Sequence, residues 1–315
     1  MSVRSSRRHA AGQSTGSQPR DAVEGEITWT VRLAGIGIAL LILLAVALGL
    51  WRGATSAAGG VSAAAQGLLL AQVVMAAALI MLGSMVEGFG FGLALGTQWP
   101  YTRNIVVLML RGDPEAAHRV VATGLSVCAV ALAVLQPGYM SFLGLGLIIA
   151  AALFGMGVLY VLAGRAPALV HGTHGLLAYA VYLTYLVALA HPGMPLGFYL
   201  KVTVALHAVL FAVLMGGIVT GQRGFGQPIG AFYAPQKPSQ WVFVLHGVAA
   251  LLVIATLGWF MPAYPVAFAL ALVQAAVGFF LFQAVNLRPR APGAVVAFHQ
   301  AMALLITSAI VLQWH

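Results

Sequence analysis

Residues 139–163 read YMSFLGLGLIIAAALFGMGVLYVLA, without one charged side chain. A helix crossing the ~30 Å hydrocarbon core needs about 20 residues, so this run is long enough to span. Outward from it, further apolar runs bounded by Pro, Gly and charge lie at 28–50, 64–86, 119–135, 168–190, 198–220, 241–261, 264–285 and 294–314. The run 119–135 is short unless Glu115 to His118 extend it. Lipid offers backbone N–H and C=O groups no partner, so every span must be a helix. Composition agrees. Of 315 residues, 61% are hydrophobic and 7% charged, against about a quarter charged in a soluble domain, and mean hydropathy is +0.98. The expected fold class is all-α, a polytopic helix bundle with the lipid bilayer as its solvent.

Tight turns at Gln136-Pro137-Gly138 and Met261-Pro262-Ala263 join neighbouring spans. Two connections are longer, about 87–117 and 221–240. Their Trp99-Pro100-Tyr101 and Phe232-Tyr233-Ala234-Pro235 suit a membrane interface. With the N-terminus inside, Arg103, Arg111, Arg119, Arg165, Arg223, Lys237, Arg288 and Arg290 fall on the cytoplasmic side and only Arg52 and Lys201 outside. The positive-inside rule therefore predicts a cytoplasmic N-terminus and an external C-terminus. The same scatter of Lys and Arg over loops and helix ends argues against a nucleic-acid partner, despite a net charge of +9. Residues 1–26 are polar, Gly/Ser-rich and basic, the composition of a disordered tail. The following apolar stretch is too long and too poorly marked for cleavage to be a signal peptide. The one cysteine, Cys128, sits within an apolar run and reads as a small buried hydrophobe.

The histidines carry the chemistry. His118 and His174 are 56 residues apart, and His246 and His299 are 53 apart. Across the chain, His118 to His246 is 128 residues and His174 to His299 is 125. Each is followed four residues later by alanine (Ala122, Ala178, Ala250, Ala303), which clears the same helical face one turn on. This spacing predicts two four-helix halves, residues 64–192 and 193–315, preceded by an extra N-terminal transmembrane helix and loop over 27–63. Neutral imidazole binds iron well, and a heme between two helices can take one histidine from each. Two hemes are thus expected, one on His118 with His174 and one on His246 with His299. Hydrogen bonding between helices is the plainer role for any single intramembrane histidine. His171 competes with His174, one turn earlier on nearly the same face; the Gly-Leu-Leu-Ala after His174 matches Gln-Ala-Met-Ala after His299 better. His207 lies mid-helix without a partner at repeat distance, and His191 and His315 receive no role.

Glu115 stands three residues before His118, so both face one side of a helix. Asp113-Pro114-Glu115 also reads as N-cap, N1 and N2 of that helix. Glu87 ends the second span beside Gly88, Gly90 and Gly92, which allow close packing.

Glu115-Ala-Ala-His118-Arg119 resembles the Glu-x-x-His-Arg motif of the heme A synthase family. Val273-Gln274-Ala275-Ala276-Val277-Gly278 and Ala297-Phe298-His299-Gln300-Ala301-Met302-Ala303 resemble that family's last two helices. The likeness covers about residues 64–314 and implies eight helices in two halves, in a prokaryotic-type cytoplasmic membrane. It implies a monooxygenase that converts heme O to heme A by oxidising a ring methyl to a formyl group. His246 and His299 would hold heme b as cofactor, His118 and His174 would receive the substrate heme, and Glu115 would stabilise charge at the oxidised carbon. In the second half Phe243-Val244-Leu245-His246-Gly247 carries no acid three residues before the histidine. The family places its long loops and hemes toward the outer face, whereas the Arg and Lys count places them inside. The alternative function is a diheme b-type cytochrome, a membrane subunit of a respiratory complex passing electrons between quinone and partner subunits. A histidine-lined ion transporter is the third, disfavoured by the shortage of acidic residues within spans.

Overall fold

The structure is a computed structural model that describes residue 37 and residues 62–93, 95–96, 104–137, 139–192 and 204–314. The apolar run 28–50 apart from residue 37, the basic tail, the Trp99–Tyr101 stretch, Arg103, Lys201 and His315 lie outside the described residues. Among those described, all regular structure is helical: α1 (Ala63–Gly88), α2 (Ile105–Leu110), α3 (Pro114–Leu135), α4 (Tyr139–Leu162), α5 (Leu169–Ala190), α6 (Val204–Arg223), α7 (Pro238–Trp259), α8 (Pro265–Leu287) and α9 (Val295–Leu312). Every one except α2 is long and apolar enough to cross a membrane. The chain is therefore an integral membrane protein of the all-α class.

Local chemistry sets the helix ends. Asp113 caps α3, its carboxylate accepting from the N–H groups of Glu115 (2.8 Å) and Ala116 (3.0 Å), and Pro114 takes the first helical position. The third predicted span thus begins five residues earlier than its apolar run, bringing Glu115 and His118 onto the helix. Pro238 and Pro265 open α7 and α8 in the same way. The short α2 was not foreseen; six residues give too little periodicity to read.

Four helices make the centre. α1 is the most enclosed, packing against α3, α5 and α9, while α4, α7 and α8 turn most of their surface outward. The fully buried side chains cluster at Gln72 on α1, Leu132 on α3 and Tyr179, Leu183 and Tyr185 on α5. α5 and α6 approach backbone to backbone. A Cβ at Gly217 would meet the Cα of Gly172 at 2.7 Å, and one at Gly221 would meet Ala168 at 3.0 Å. Ala168 and Gly172 on one helix and Gly217 and Gly221 on the other are small residues four apart, the pattern that lets membrane helices pack closely where no hydrophobic force draws them together. Tyr179 donates to Gln300 (2.9 Å) and Tyr182 bonds Ser308 (2.7 Å), tying α5 to α9. Cys128 is a half-buried core neighbour, consistent with its apolar setting.

The two ends of the bundle differ. Among the described residues, every charged side chain lies at the end where α1, α4, α6 and α8 finish and α3, α5, α7 and α9 begin: Glu87, Arg111, Asp113, Glu115, Arg119, Arg165, Arg223, Lys237, Arg288 and Arg290. The opposite end, where α3 finishes and residues 260–264 turn, holds none among the described residues. Glycines knit the charged end together. Gly293 N–H donates to Gly88 O (2.8 Å), and a Cβ at Gly88 would meet Gly293 O at 2.6 Å. Gly90, at φ +75°, packs a Cβ-width from Arg290 O. Close packing is thus what these glycines allow.

Candidate functional site

All four repeat-spaced histidines enter the bundle from the charged end, within about two and a half turns of a helix start, and each leans on a glycine of the preceding span. A Cβ at Gly83 would lie 3.6 Å from Cε1 of His118, and one at Gly155 3.0 Å from Cε1 of His174. The corresponding distances are 3.1 Å for Gly216 and His246 and 3.5 Å for Gly278 and His299. Glycine leaves room for the Cε1–Nδ1 edge of the imidazole to approach the neighbouring backbone. Behind two of the rings the backbone also anchors the ring. His174 Nδ1 bonds Ala151 O and His246 Nδ1 bonds Ala212 O, both at 3.0 Å. Ala151 and Ala212 stand four residues before their glycines. A carbonyl only accepts, so Nδ1 carries the proton and Nε2 keeps its lone pair, the arrangement of a metal-ligating histidine. In His299 the Nδ1 is buried without a hydrogen-bond partner, whereas the His118 ring interacts with the backbone of Leu79. Leu79 and Gln274 hold the equivalent positions before Gly83 and Gly278.

Sequence reading missed these glycines. The separations are 35, 19, 30 and 21 residues, scattered by loop length, so only the pairs with short connections (155 with 174, 278 with 299) show similar spacing.

Among the first spans the histidines face a cavity of about 540 Å³, within the usual range for small-molecule sites of roughly 300–1,000 Å³. His118, His171 and His174 line it, with Glu87 and Glu115 and, from the later spans, Thr220 and Gln300. Ala122 and Ala178, the small residues one turn beyond His118 and His174, line it too. Glu115 is both a helix-start acid and a cavity residue. Its carboxylate takes an ion pair from Arg119 Nη2 (2.6 Å) and the N–H of Leu95 (3.2 Å), and the Glu115 side chain is only 8% exposed. A second pair closes the same end. Arg223 Nη1 reaches Glu87 Oε1 at 2.8 Å, Thr220 donates to that carboxylate (3.2 Å), and Arg223 Nη2 donates to Pro289 O (2.8 Å). Nothing in the sequence announces this node, because its members are 136 residues apart in the chain.

His246 and His299 stand edge-on to each other, ring centres 6.3 Å apart and planes at 65°. An imidazole nitrogen sits about 2 Å from a metal ion, so two rings on opposite sides of one ion have centres about 6–6.5 Å apart. Gln274 from α8 reaches this pair, its Nε2 lying 3.0 Å from His299 O and 3.3 Å from His299 Nε2. Phe243, which takes the place an acid holds before His118, stacks on Phe282 at 4.8 Å and meets Phe232 edge-on at 6.3 Å. Phe232 is thus packed, while Tyr233 beside it is fully exposed.

Of the other described histidines, only His171 shares the cavity of His118 and His174. His171 turns to α6, Nδ1 bonding Gly217 O (3.0 Å), with its ring edge-on to Phe225. His207 is on an exposed face of α6. His191 closes α5, its Nε2 on Val311 O at 2.8 Å. Among the described residues, no group of three or more His, Cys, Asp or Glu is gathered to hold a bare metal ion. No protein-family model, curated protein or solved structure matches the chain.

Proposed function

We propose that the protein is a heme A synthase-like membrane monooxygenase, oxidising a methyl of heme O to the formyl of heme A. The observation that carries this reading is the inequality of the two histidine sites. One pairs His118 with a buried carboxylate, Glu115, on the wall of a cavity. The other has no acid, only Phe243 in an aromatic stack, and two imidazoles at the spacing for one metal. A pair of histidines suits a metal that brings its remaining ligands with it, as a porphyrin does. The glycine cradles and the backbone anchors of His174 and His246 fit imidazoles that present Nε2 to such a metal.

In this reading His246 and His299 hold heme b, which supplies a one-electron redox centre. His118 and His174 receive heme O; His174 is preferred to His171 because it shares the glycine cradle and backbone anchor of His246. The cavity walls exclude water, and the Glu115 carboxylate stabilises positive charge developing at the substrate carbon. Arg119 holds that carboxylate in place. The test is heme A formation in cells expressing the chain with heme O and reductant supplied, read by chromatography of extracted hemes. Absence of heme A overturns the proposal.

One observation favours the rival, a diheme b-type cytochrome. The basic residues gather at the histidine end, which the positive-inside rule assigns to the cytoplasm, opposite to the side the family resemblance implies. Accessibility of single cysteines at Ala166 and Ala263, in a Cys128→Ala background, decides the side. A cytoplasmic Ala166 together with absent heme A formation would establish the rival.

A further inference from the structure

The two members of the second histidine pair are not equivalent. His246 is anchored from behind by Ala212 O, and its Nε2 lone pair is free. His299 differs at both nitrogens. Its Nδ1 is buried without a partner, and its Nε2 lies 3.3 Å from the amide nitrogen of Gln274. That nitrogen can only donate, so the contact engages the lone pair that would otherwise ligate a metal. The amide orientation is fixed by its other bond, to His299 O at 3.0 Å; turned over, it would set oxygen against oxygen. Gln274 Oε1 is left buried and unpartnered. Of the residues four before the facing glycines (Leu79, Ala151, Ala212 and Gln274), only Gln274 has a polar side chain.

We propose that Gln274 is a positioning residue that makes His299 a displaceable ligand, its amide competing with the iron for Nε2. The inference rests on the reading that His246 and His299 hold heme. When iron takes Nε2, the amide gives up one contact and keeps the His299 carbonyl. When His299 leaves the iron, the amide receives it again and holds the ring facing the site. Ligation would therefore cost His299 one weak hydrogen bond, which release returns in exchange for the iron–nitrogen bond, whereas the Ala212 anchor keeps His246 in place.

The experiment uses full-length protein carrying His118→Ala, so that heme sits only at the second pair. Carbon monoxide is titrated into the reduced protein with Gln274 or with Gln274→Leu, which has no donor. Firmer ligation by His299 should weaken carbon monoxide binding roughly three- to tenfold, the size of one net hydrogen bond. Equal or tighter binding in Gln274→Leu overturns the proposal. Should Gln274→Leu fail to retain heme, Gln274→Met, of similar length and without a donor, takes its place. Heme loss in both also overturns it, since a competitor for the ligand is not needed to keep heme bound. Absence of heme from the protein with Gln274 intact refutes the underlying reading instead.

Discussion

Replacing Glu115 is the perturbation that separates enzyme from electron carrier, and the structure dictates which replacement is informative. The carboxylate is buried and 2.6 Å from Arg119 Nη2. Glu115→Ala would leave that guanidinium buried without its counter-charge, a loss of about 3–5 kcal/mol from a fold whose total stability is of order 5–15 kcal/mol. A dead Ala variant would therefore say little. Glu115→Gln removes the charge but keeps an acceptor oxygen for Arg119, giving up the bond from the Leu95 N–H. If the carboxylate stabilises a cationic transition state in a water-poor cavity, turnover should fall roughly tenfold to a thousandfold, the range measured for single preorganised electrostatic groups. Heme content should stay unchanged, because His118 and His174 remain. The assay is the rate of heme A formation from heme O, with pyridine hemochrome spectra on the same preparations. Unchanged turnover in a Glu115→Gln protein with full heme content would refute the role. Electron transfer in the cytochrome reading should be indifferent to the change, since Glu115 would then be a helix-start charge worth about 0.3–1 kcal/mol.

Three further outcomes are expected. His246→Ala should abolish the permanently bound heme, seen as loss of its Soret band, and His299→Ala should lower heme retention, whereas His207→Ala, on an exposed face, should retain it; equal loss at all three would disprove the pairing. Gly216→Val should displace His246, because even a Cβ there lies 3.1 Å from the ring, and reduce heme retention, while Gly146→Ala, with nothing within 4 Å, should leave the spectrum intact. Arg223→Ala should destabilise the protein by about 3–5 kcal/mol by stranding Glu87, lowering the thermal midpoint in detergent; an unchanged midpoint would mean that the Glu87–Arg223 pair does not hold α1 to α6.

Much of the architecture was legible in the sequence, because the membrane imposes it. An uncharged run as long as 139–163 has no stable alternative to a spanning helix, and Pro137 and Pro262 mark where the chain turns back. The cap at Asp113 was readable too, being a local interaction between neighbours in the chain. The histidine spacing gave the candidate ligands, since a helix start fixes the depth of a residue a few positions inside it. Tertiary structure alone decided what surrounds them. The glycine behind each ring, the pairing of Glu87 with Arg223, the closure of His246 on His299 and the reach of Gln274 to His299 all join residues on different helices. Which faces meet depends on the rotation of each helix about its axis. In these spans that rotation is barely encoded in the pattern of apolar residues, because both lipid-facing and core-facing sides are apolar. Small residues such as Gly172 and Gly217 set it instead, through packing that exists only once the helices touch.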